Sequence, residues 1–426
     1  MASFFIPLTG LTADSTSLNT IANDLANMST TGFKSQSVNF SDLFYQQIGA
    51  TGSGDPIQTG AGTQVASITT DFSNGTPNST GVNTDVALQG NGFFVVSNAG
   101  SELLTRNGHF TTDSTGNLVT ASGMNVMGYP AAGGVVNTAA PLAPINVPIG
   151  QVLAPKATTT FNMTANLDGT GLNAVFPATV DLFDSLGQMH TATVTYTQSG
   201  VNAWNYSIAL PAADTSGVST PVTGTMTFGP TGSLATVNRT DVGTGAGQVS
   251  SIPVAFNGLT DQANNLAITW NLMGSAGKPI ITQVTSASNA TPGSASAVSG
   301  TNQDGFASGQ YQGFAIGSDG TVTVTFSNQQ KLNVGQIALG NVTNPQGLKA
   351  MGDSDYGATL ASGAVAVGTS GSAGLGTMQN SALEGSNVNI SGEFSALIIA
   401  QRAFEANSKT ITTFDTITQE TIQMIH

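Results

Sequence analysis

The chain has no cysteine. That absence excludes disulfides, thiolate nucleophiles and cysteine-based zinc sites. Charge is also scarce: Asp, Glu, Lys and Arg make up 8% of the 426 residues, against about 25% in an average globular domain. The little charge is mostly negative, with 9 Lys and Arg against 23 Asp and Glu, a formal net charge of −14. A phosphate backbone demands clustered cations, and none are clustered here, so nucleic acid is excluded as a partner. Anionic membrane surfaces are disfavoured for the same reason. No apolar run approaches the ~18 residues of a spanning helix, so no membrane insertion is expected. The opening "MASFFIPLTGLTADS" has no basic region, and Pro7 breaks its short apolar run. It does not read as a cleaved Sec signal, so export would need another route.

What is present is enough to build cores. Hydrophobic residues make up 39%, with 52 glycines beside them. The length implies roughly two to four domains. With so little charge, the surface must be covered by Ser, Thr, Asn and Gln. That composition leans towards a bacterial extracellular protein.

Apolar spacing predicts helices at both ends. Leu11, Leu18 and Leu25 recur every seven residues, with Ile21 and Met28 between turns and Asp14 as an interruption. Thr12 or Ser15 is the expected start cap. In the last segment Ile390, Leu397, Phe404, Ile411 and Ile425 share one heptad position. Phe394, Ile398, Phe414, Ile417 and Ile422 flank it, Gln401, Ser408 and Asp415 interrupt it, and Ser391 is the expected cap. Neither stripe has a local partner, and isolated helices this polar are marginal in water. Either both pack on a β core, or the ends pair with each other or with other copies of the chain.

Between the ends the pattern is β. Alternating runs such as "NGFFVVSNAG", "ATVDLFDSLGQMHTATVTYTQSG" and "GTVTVTFSN" are closed by turn residues, with hairpins expected at 113–116, 184–187 and 318–320. Proline- and small-residue-rich seams at 137–160 and 289–305 bracket a middle block. The expected fold is α+β, mainly β: terminal helices pairing as a coiled coil, with two or more β domains between them, the outer inserted in the inner. The expected segments are a helical core segment 1–35, a linker or extended segment 36–85 and the first part of an inner β domain, 86–153. An inserted outer β domain, 154–305, the second part of the inner domain, 306–362, a linker, 363–389, and a helical core segment, 390–426, follow.

Catalytic chemistry is not legible. His109, His190 and His426 are far apart in sequence and read as surface or strand-end residues. "GSAGLG" at 371–376 has the wrong glycine spacing for a dinucleotide site, and "GDSDYG" at 352–357 lacks the ligand pattern of a calcium loop. No catalytic, cofactor-binding or metal site is expected, and an enzyme is the weakest reading.

Three ordered stretches carry a family resemblance. "NDLANMSTTGFKS", "LQGNGFFVVSNAGSELLTRNGHF" and "SALEGSNVNISGEFSALIIAQRAFEANSKTITTFD" resemble the signatures of the axial rod and hook subunits of the bacterial flagellum. The matching positions are Asn23, Asn27, Gly32, Phe33, Lys34, Asn91, Gly92, Phe93, Arg106, Gly108, Glu384, Asn387, Gln401, Arg402 and Asn407. "LFDSLGQMHTATVTY" and "TNQDGFASGQYQGFAIGSDGTVTVTFSNQQ" resemble hook subunits in particular. Two departures are small: Phe404 stands where tyrosine is common, and 326–330 reads "FSNQQ" for "YSNGQ".

The resemblance implies a hook subunit: a polymer of copies of this chain forming a curved, flexible tube that passes torque from rod to filament as a universal joint. It implies rod, hook-cap and hook–filament junction proteins as partners, the flagellar type III apparatus as export route, and an extracellular place in the hook. No cofactor is implied. The coiled-coil core would be built from Leu11, Leu18, Ile21, Leu25, Met28, Phe394, Leu397, Ile398, Phe404, Ile411, Phe414 and Ile422. Asn27 and Gly32 would end the first helix, Phe33 would anchor the outward turn, and Lys34 would reach a carboxylate or carbonyl. The alternatives are a distal rod subunit with an insertion and a secreted β-rich binding or adhesion protein.

Overall fold

A computed structural model describes residues 4–98, 100–216, 220–240, 250–274, 277–285 and 296–425. His426 and part of the 289–305 seam lie outside the described residues. The chain divides into two compact units: residues 1–149, 312–325 and 331–426, and residues 150–311 with 326–330.

Two long helices bound the first unit: α1 (Phe5–Ala26) and α2 (Ile390–Ile425). α1 begins earlier than its expected cap at Thr12 or Ser15. Pro7 falls in its first turn, where a missing N–H costs nothing because that donor would have no helical partner. The Thr12 hydroxyl instead donates to the Thr9 carbonyl within the helix. α2 is capped one turn before Phe394 by Asn389, not by Ser391: the Asn389 side-chain oxygen accepts the Gly392 N–H at 3.1 Å. No described helix is long and apolar enough to cross a membrane.

The β part of this unit contains a ladder in the order Lys331–Ile337, Asn125–Ala132, Phe93–Asn98, Ser101–Thr105, Asp355–Gly357, Lys349–Gly352. Its core gathers Phe93, Val95, Leu104, Met127, Tyr129 and Tyr356. Phe72, Phe93 and Tyr356 form a mutual ring cluster with centroids 5.4 to 5.7 Å apart. The segments read as linkers carry strands. Gln36–Asp42 pairs with Thr63–Thr70, and Gln46–Ala50 with Pro56–Thr59. Pro77–Ser79 pairs with Ala382–Glu384, and Val86–Gln89 with Thr377–Asn380. These last two ladders join the two ends of the sequence, a non-local pairing that composition does not reveal.

Among the described residues the second unit has two five-stranded sheets. One is an antiparallel meander of Val175–Phe183, Met189–Gly200, Ala203–Ala209, Val222–Phe228 and Leu234–Arg239. In the other, Thr160–Asp168 runs parallel to Leu266–Asn271 and Ile281–Val284 and antiparallel to Ala297–Gln303, while Ser251–Phe256 pairs with Leu266–Asn271. Strict alternation puts Val180, Leu182, Val194, Tyr196, Tyr206 and Ile208 of the first sheet in one core with Phe161, Met163, Ile268 and Trp270 of the second. Trp270 stacks on Phe161 at 5.6 Å and meets Tyr206 edge-on at 5.8 Å, so it bridges the sheets.

Candidate functional site

α1 and α2 lie antiparallel. Phe4 meets Phe414 with ring centroids 5.9 Å apart, and the Asn407 amide donates to Asp14 Oδ2 at 2.8 Å. Asp24, at the far end of α1, lies within electrostatic range of Glu393, at the start of α2. Gly10 leaves room for the Asn407 side chain: a Cβ there would come within 2.7 Å of its amide nitrogen and would displace it from Asp14. Glycine inside a helix costs about 1 kcal/mol relative to alanine, so the close approach has to offset that.

The expected core positions differ in cover. Ile21 is buried; Leu11, Leu18, Leu25, Leu397, Phe404, Ile411 and Phe414 are half-buried; Met28, Phe394, Ile398 and Ile422 are exposed. α1 has 22 residues and α2 has 36, so they span ~33 and ~54 Å. The last turns of α2 therefore run past the start of α1, with Ile417, Ile422 and Met424 exposed.

Below the helices is a buried ion hub. α1 ends at Asn27, and Gly32 turns the chain at φ +68°. A Cβ at Gly32 would meet the Arg106 carbonyl carbon at 2.7 Å, so both conformation and space require glycine. The Gly32 N–H donates to the Glu384 carbonyl at 2.8 Å. Two residues on, Lys34 enters the interior. Its ammonium donates to Glu384 Oε1 at 2.6 Å and to the Ser73 carbonyl at 2.7 Å. Arg106 donates to Glu384 Oε2 at 3.1 Å, to Asn74 Oδ1 at 3.1 Å and to the Gly90 carbonyl at 2.8 Å. Its guanidinium also sits over the Phe93 ring, 5.3 Å from the centroid. The Gly75 N–H completes the shell of Glu384 Oε1 at 2.9 Å. The Lys34, Arg106 and Glu384 side chains are at most 2% exposed. Burial pulls the Lys34 ammonium below its ordinary pKa, and the Glu384 carboxylate opposes that shift.

Asn387 locks the neighbouring turn. Its side-chain oxygen accepts the Ser35 N–H at 2.8 Å, and its amide donates to the Asp71 carbonyl at 2.8 Å. The hub thus ties the end of α1, the turn at 71–75, Arg106 just past the strand Ser101–Thr105 and the approach to α2. Of the family-signature residues it unites Gly32, Lys34, Phe93, Arg106, Glu384 and Asn387. Gly108 backs onto Val86, whose N–H donates to the Gly108 carbonyl at 3.0 Å, and the Asn91 carbonyl accepts from Gly376 at 2.7 Å. Asn27 caps α1, its amide donating to the Asn23 carbonyl at 2.9 Å. Phe33 is half-buried, and Gln401 and Arg402 are exposed. Sequence reasoning passes over Asn74 and Gly75; their one signal is the turn-forming run "DFSNG" at 71–75.

Asp24 adds a pH-sensitive contact. Its Oδ2 accepts the Gln36 N–H at 2.8 Å. Burial raises its pKa from 3.8 to about 6; the Gln36 hydrogen bond opposes the rise and the Glu393 carboxylate adds to it. Between those values the folded chain keeps a proton that the unfolded chain has lost, so stability falls as pH rises through the window. Asp24→Asn keeps the acceptor for Gln36, and its melting temperature is expected to fall less than wild type's between pH 4 and pH 7. Equal falls in thermal denaturation would contradict the assignment.

The hub and the helix pair bring together the residues of the axial-protein signatures, and comparison with known proteins gives the family. Residues 8–34 match the flagellar basal body rod protein family, and 379–424 match the C-terminal family of the basal body rod FlgEFG proteins. Residues 87–170 match the hook protein FlgE/F/G D1 domain, and 158–306 the D2 domain of the basal body protein FlaE. The chain is 35% identical to the flagellar hook protein FlgE of Salmonella typhimurium, over 97% of this chain and 98% of that one. Against the hook proteins of Escherichia coli K12 and Treponema pallidum the values are 34% and 30%, again over nearly the full length of both chains. The fold resembles a Helicobacter pylori hook protein, FlgE2, with a TM-score of 0.54 at 15% identity, over 72% of this chain and 100% of that one. The chain belongs to the flagellar hook protein family. It is a structural subunit of the hook and not an enzyme.

Proposed function

We propose that copies of this chain polymerise through α1 and α2 into the hook, a curved, flexible tube acting as a universal joint between rod and filament. The observation that carries this reading is the uncovered apolar surface of the terminal helices. On α2, Ile398, Ile399, Ile417, Ile422 and Met424 are each more than half exposed, and Phe5 of α1 is 61% exposed. A single chain leaves this surface in water, and neighbouring copies would cover it. In this reading α1 and α2 form the coiled-coil core, using the expected positions from Leu11 to Met28 and from Phe394 to Ile422.

The second unit is read as an outer β domain inserted in the first, consistent with the chain limits of the two units. Its Ser-, Thr- and Asn-rich exterior favours contacts that exchange with water, which would let subunits slide as the tube bends. Rod, hook-cap and junction proteins are the expected partners, and the flagellar type III apparatus the expected export route. A head-to-tail contact that does not close on itself gives a helical tube.

Electron microscopy of concentrated full-length protein tests the reading. Tubes of uniform diameter are expected from wild type. Gly10→Leu, which would push the Asn407 side chain off Asp14 and crowd the α1–α2 contact, should yield few or none while the β units stay folded. If wild type forms no polymer under any condition, or Gly10→Leu assembles normally, the helix-pair reading is wrong.

A further inference from the structure

His190 is not an isolated strand-end residue. Asp184 closes the strand Val175–Phe183 and opens the tight turn to Met189–Gly200. Asp184 Oδ1 accepts the N–H groups of Leu186 and Gln188, both at 2.8 Å, which fixes the carboxylate. Its Oδ2 lies 3.2 Å from His190 Nε2. Asp261 Oδ2 lies 3.6 Å from the same nitrogen. Asp261 Oδ1 accepts the Ala263 N–H at 3.0 Å, while Oδ2 is a buried atom that no N–H or O–H donor among the described residues reaches and that faces the Asp184 carboxylate. The other ring nitrogen, Nδ1, faces Asp214 Oδ2 at 3.1 Å. His190 and Asp184 are almost wholly buried, at 3% and 0% exposed.

One N–H cannot serve two carboxylate oxygens well. If Nε2 carries a proton bonded to Asp184, Asp261 Oδ2 is left facing the Asp184 carboxylate, and two buried carboxylate oxygens side by side need a proton or a cation between them. A divalent cation would satisfy all three atoms together. Ligand atoms about 2.1 Å from a tetrahedral ion lie about 3.4 Å from one another. The two distances at Nε2, 3.2 and 3.6 Å, bracket that value, and the three ligand atoms lie within 4.8 Å of one another. Asp214 supplies the remaining requirement. A carboxylate accepting Nδ1–H holds the tautomer whose free lone pair is on Nε2, where the ion would sit. An open cavity of about 390 Å³, lined by Leu186, Gly187, Gln188 and Thr260 beside the cluster, admits the ion and a water ligand.

We propose that Asp184, His190 and Asp261 bind a divalent transition-metal ion of the zinc class through one nitrogen and two carboxylate oxygens, with Asp214 orienting the imidazole. Imidazole and carboxylate donors together suit zinc better than the all-oxygen ions calcium and magnesium. The ion would staple the turn at 184–187 to the loop at 259–263 within the second unit. Sequence reading misses the site because its four residues come from three separate segments with no ligand spacing.

The test is calorimetric titration of zinc chloride into untagged, chelator-treated full-length monomer, with Asp261→Asn and Asp214→Asn beside wild type. The expected result is saturation at one ion per chain with a higher melting temperature. Binding should be lost in Asp261→Asn and weakened about 10–100-fold in Asp214→Asn. Cobalt substituted for zinc should show tetrahedral visible absorption, a wild-type readout independent of whether the variants fold. No saturable uptake by wild type at millimolar zinc, or unchanged uptake by Asp261→Asn, would overturn the proposal.

Discussion

Glu384→Ala is expected to lower the stability of the first unit by at least about 3–5 kcal/mol, the usual loss when one partner of a buried ion pair is removed. Here the one carboxylate serves two cations. Both Lys34 and Arg106 would be left charged in a site at most 2% exposed, and the Gly75 N–H would lose its acceptor. Lys34 has a partial escape, because burial already pulls its pKa down and it can shed its proton. Arg106 has none, since guanidinium stays charged in proteins. Glu384→Gln should be milder, keeping an acceptor for Gly75 but not the balancing charge. Urea denaturation of the monomer measures this, and the core of the second unit, which contains none of these residues, provides the internal control. A loss below about 1 kcal/mol for Glu384→Ala would mean that water reaches the hub.

Deleting residues 1–26 together with 390–426 is expected to abolish polymerisation and leave both β units folded. The cut on the N-terminal side matters. A deletion to residue 35 would also remove Gly32 and Lys34, and with them the hub, so loss of assembly would be confounded with unfolding. Stopping at Ala26 keeps Lys34, Arg106 and Glu384 together while removing α1 and α2 whole. The readouts are circular dichroism for the retained β content and electron microscopy for tubes. Tubes from the doubly deleted chain would place the polymer contacts in the β units and sink the helical-core reading.

Periodicity and composition alone give the outline: helices at the two ends, alternating β between them, and no thiol chemistry, because the chain has no cysteine. Both are local or global sums and need no knowledge of which residues meet. The sequence also marked Lys34, Arg106 and Glu384 as signature positions. That they share one buried site is a long-range fact, since 278 residues separate Arg106 from Glu384 and 350 separate Lys34 from it. The strands inside segments read as linkers were hidden for a related reason. Short runs such as Pro77–Ser79 and Val86–Gln89 are strands because Ala382–Glu384 and Thr377–Asn380 supply their hydrogen bonds.

Polar residues misled most. Asp14 reads as an interruption of an apolar stripe, yet it receives the Asn407 amide between α1 and α2. His190 reads as an ordinary strand residue, yet the tertiary structure surrounds it with Asp184, Asp214 and Asp261. An apolar side chain declares its burial by period alone. A polar one is placed by the partner that satisfies it, and only the folded chain brings that partner within hydrogen-bond reach.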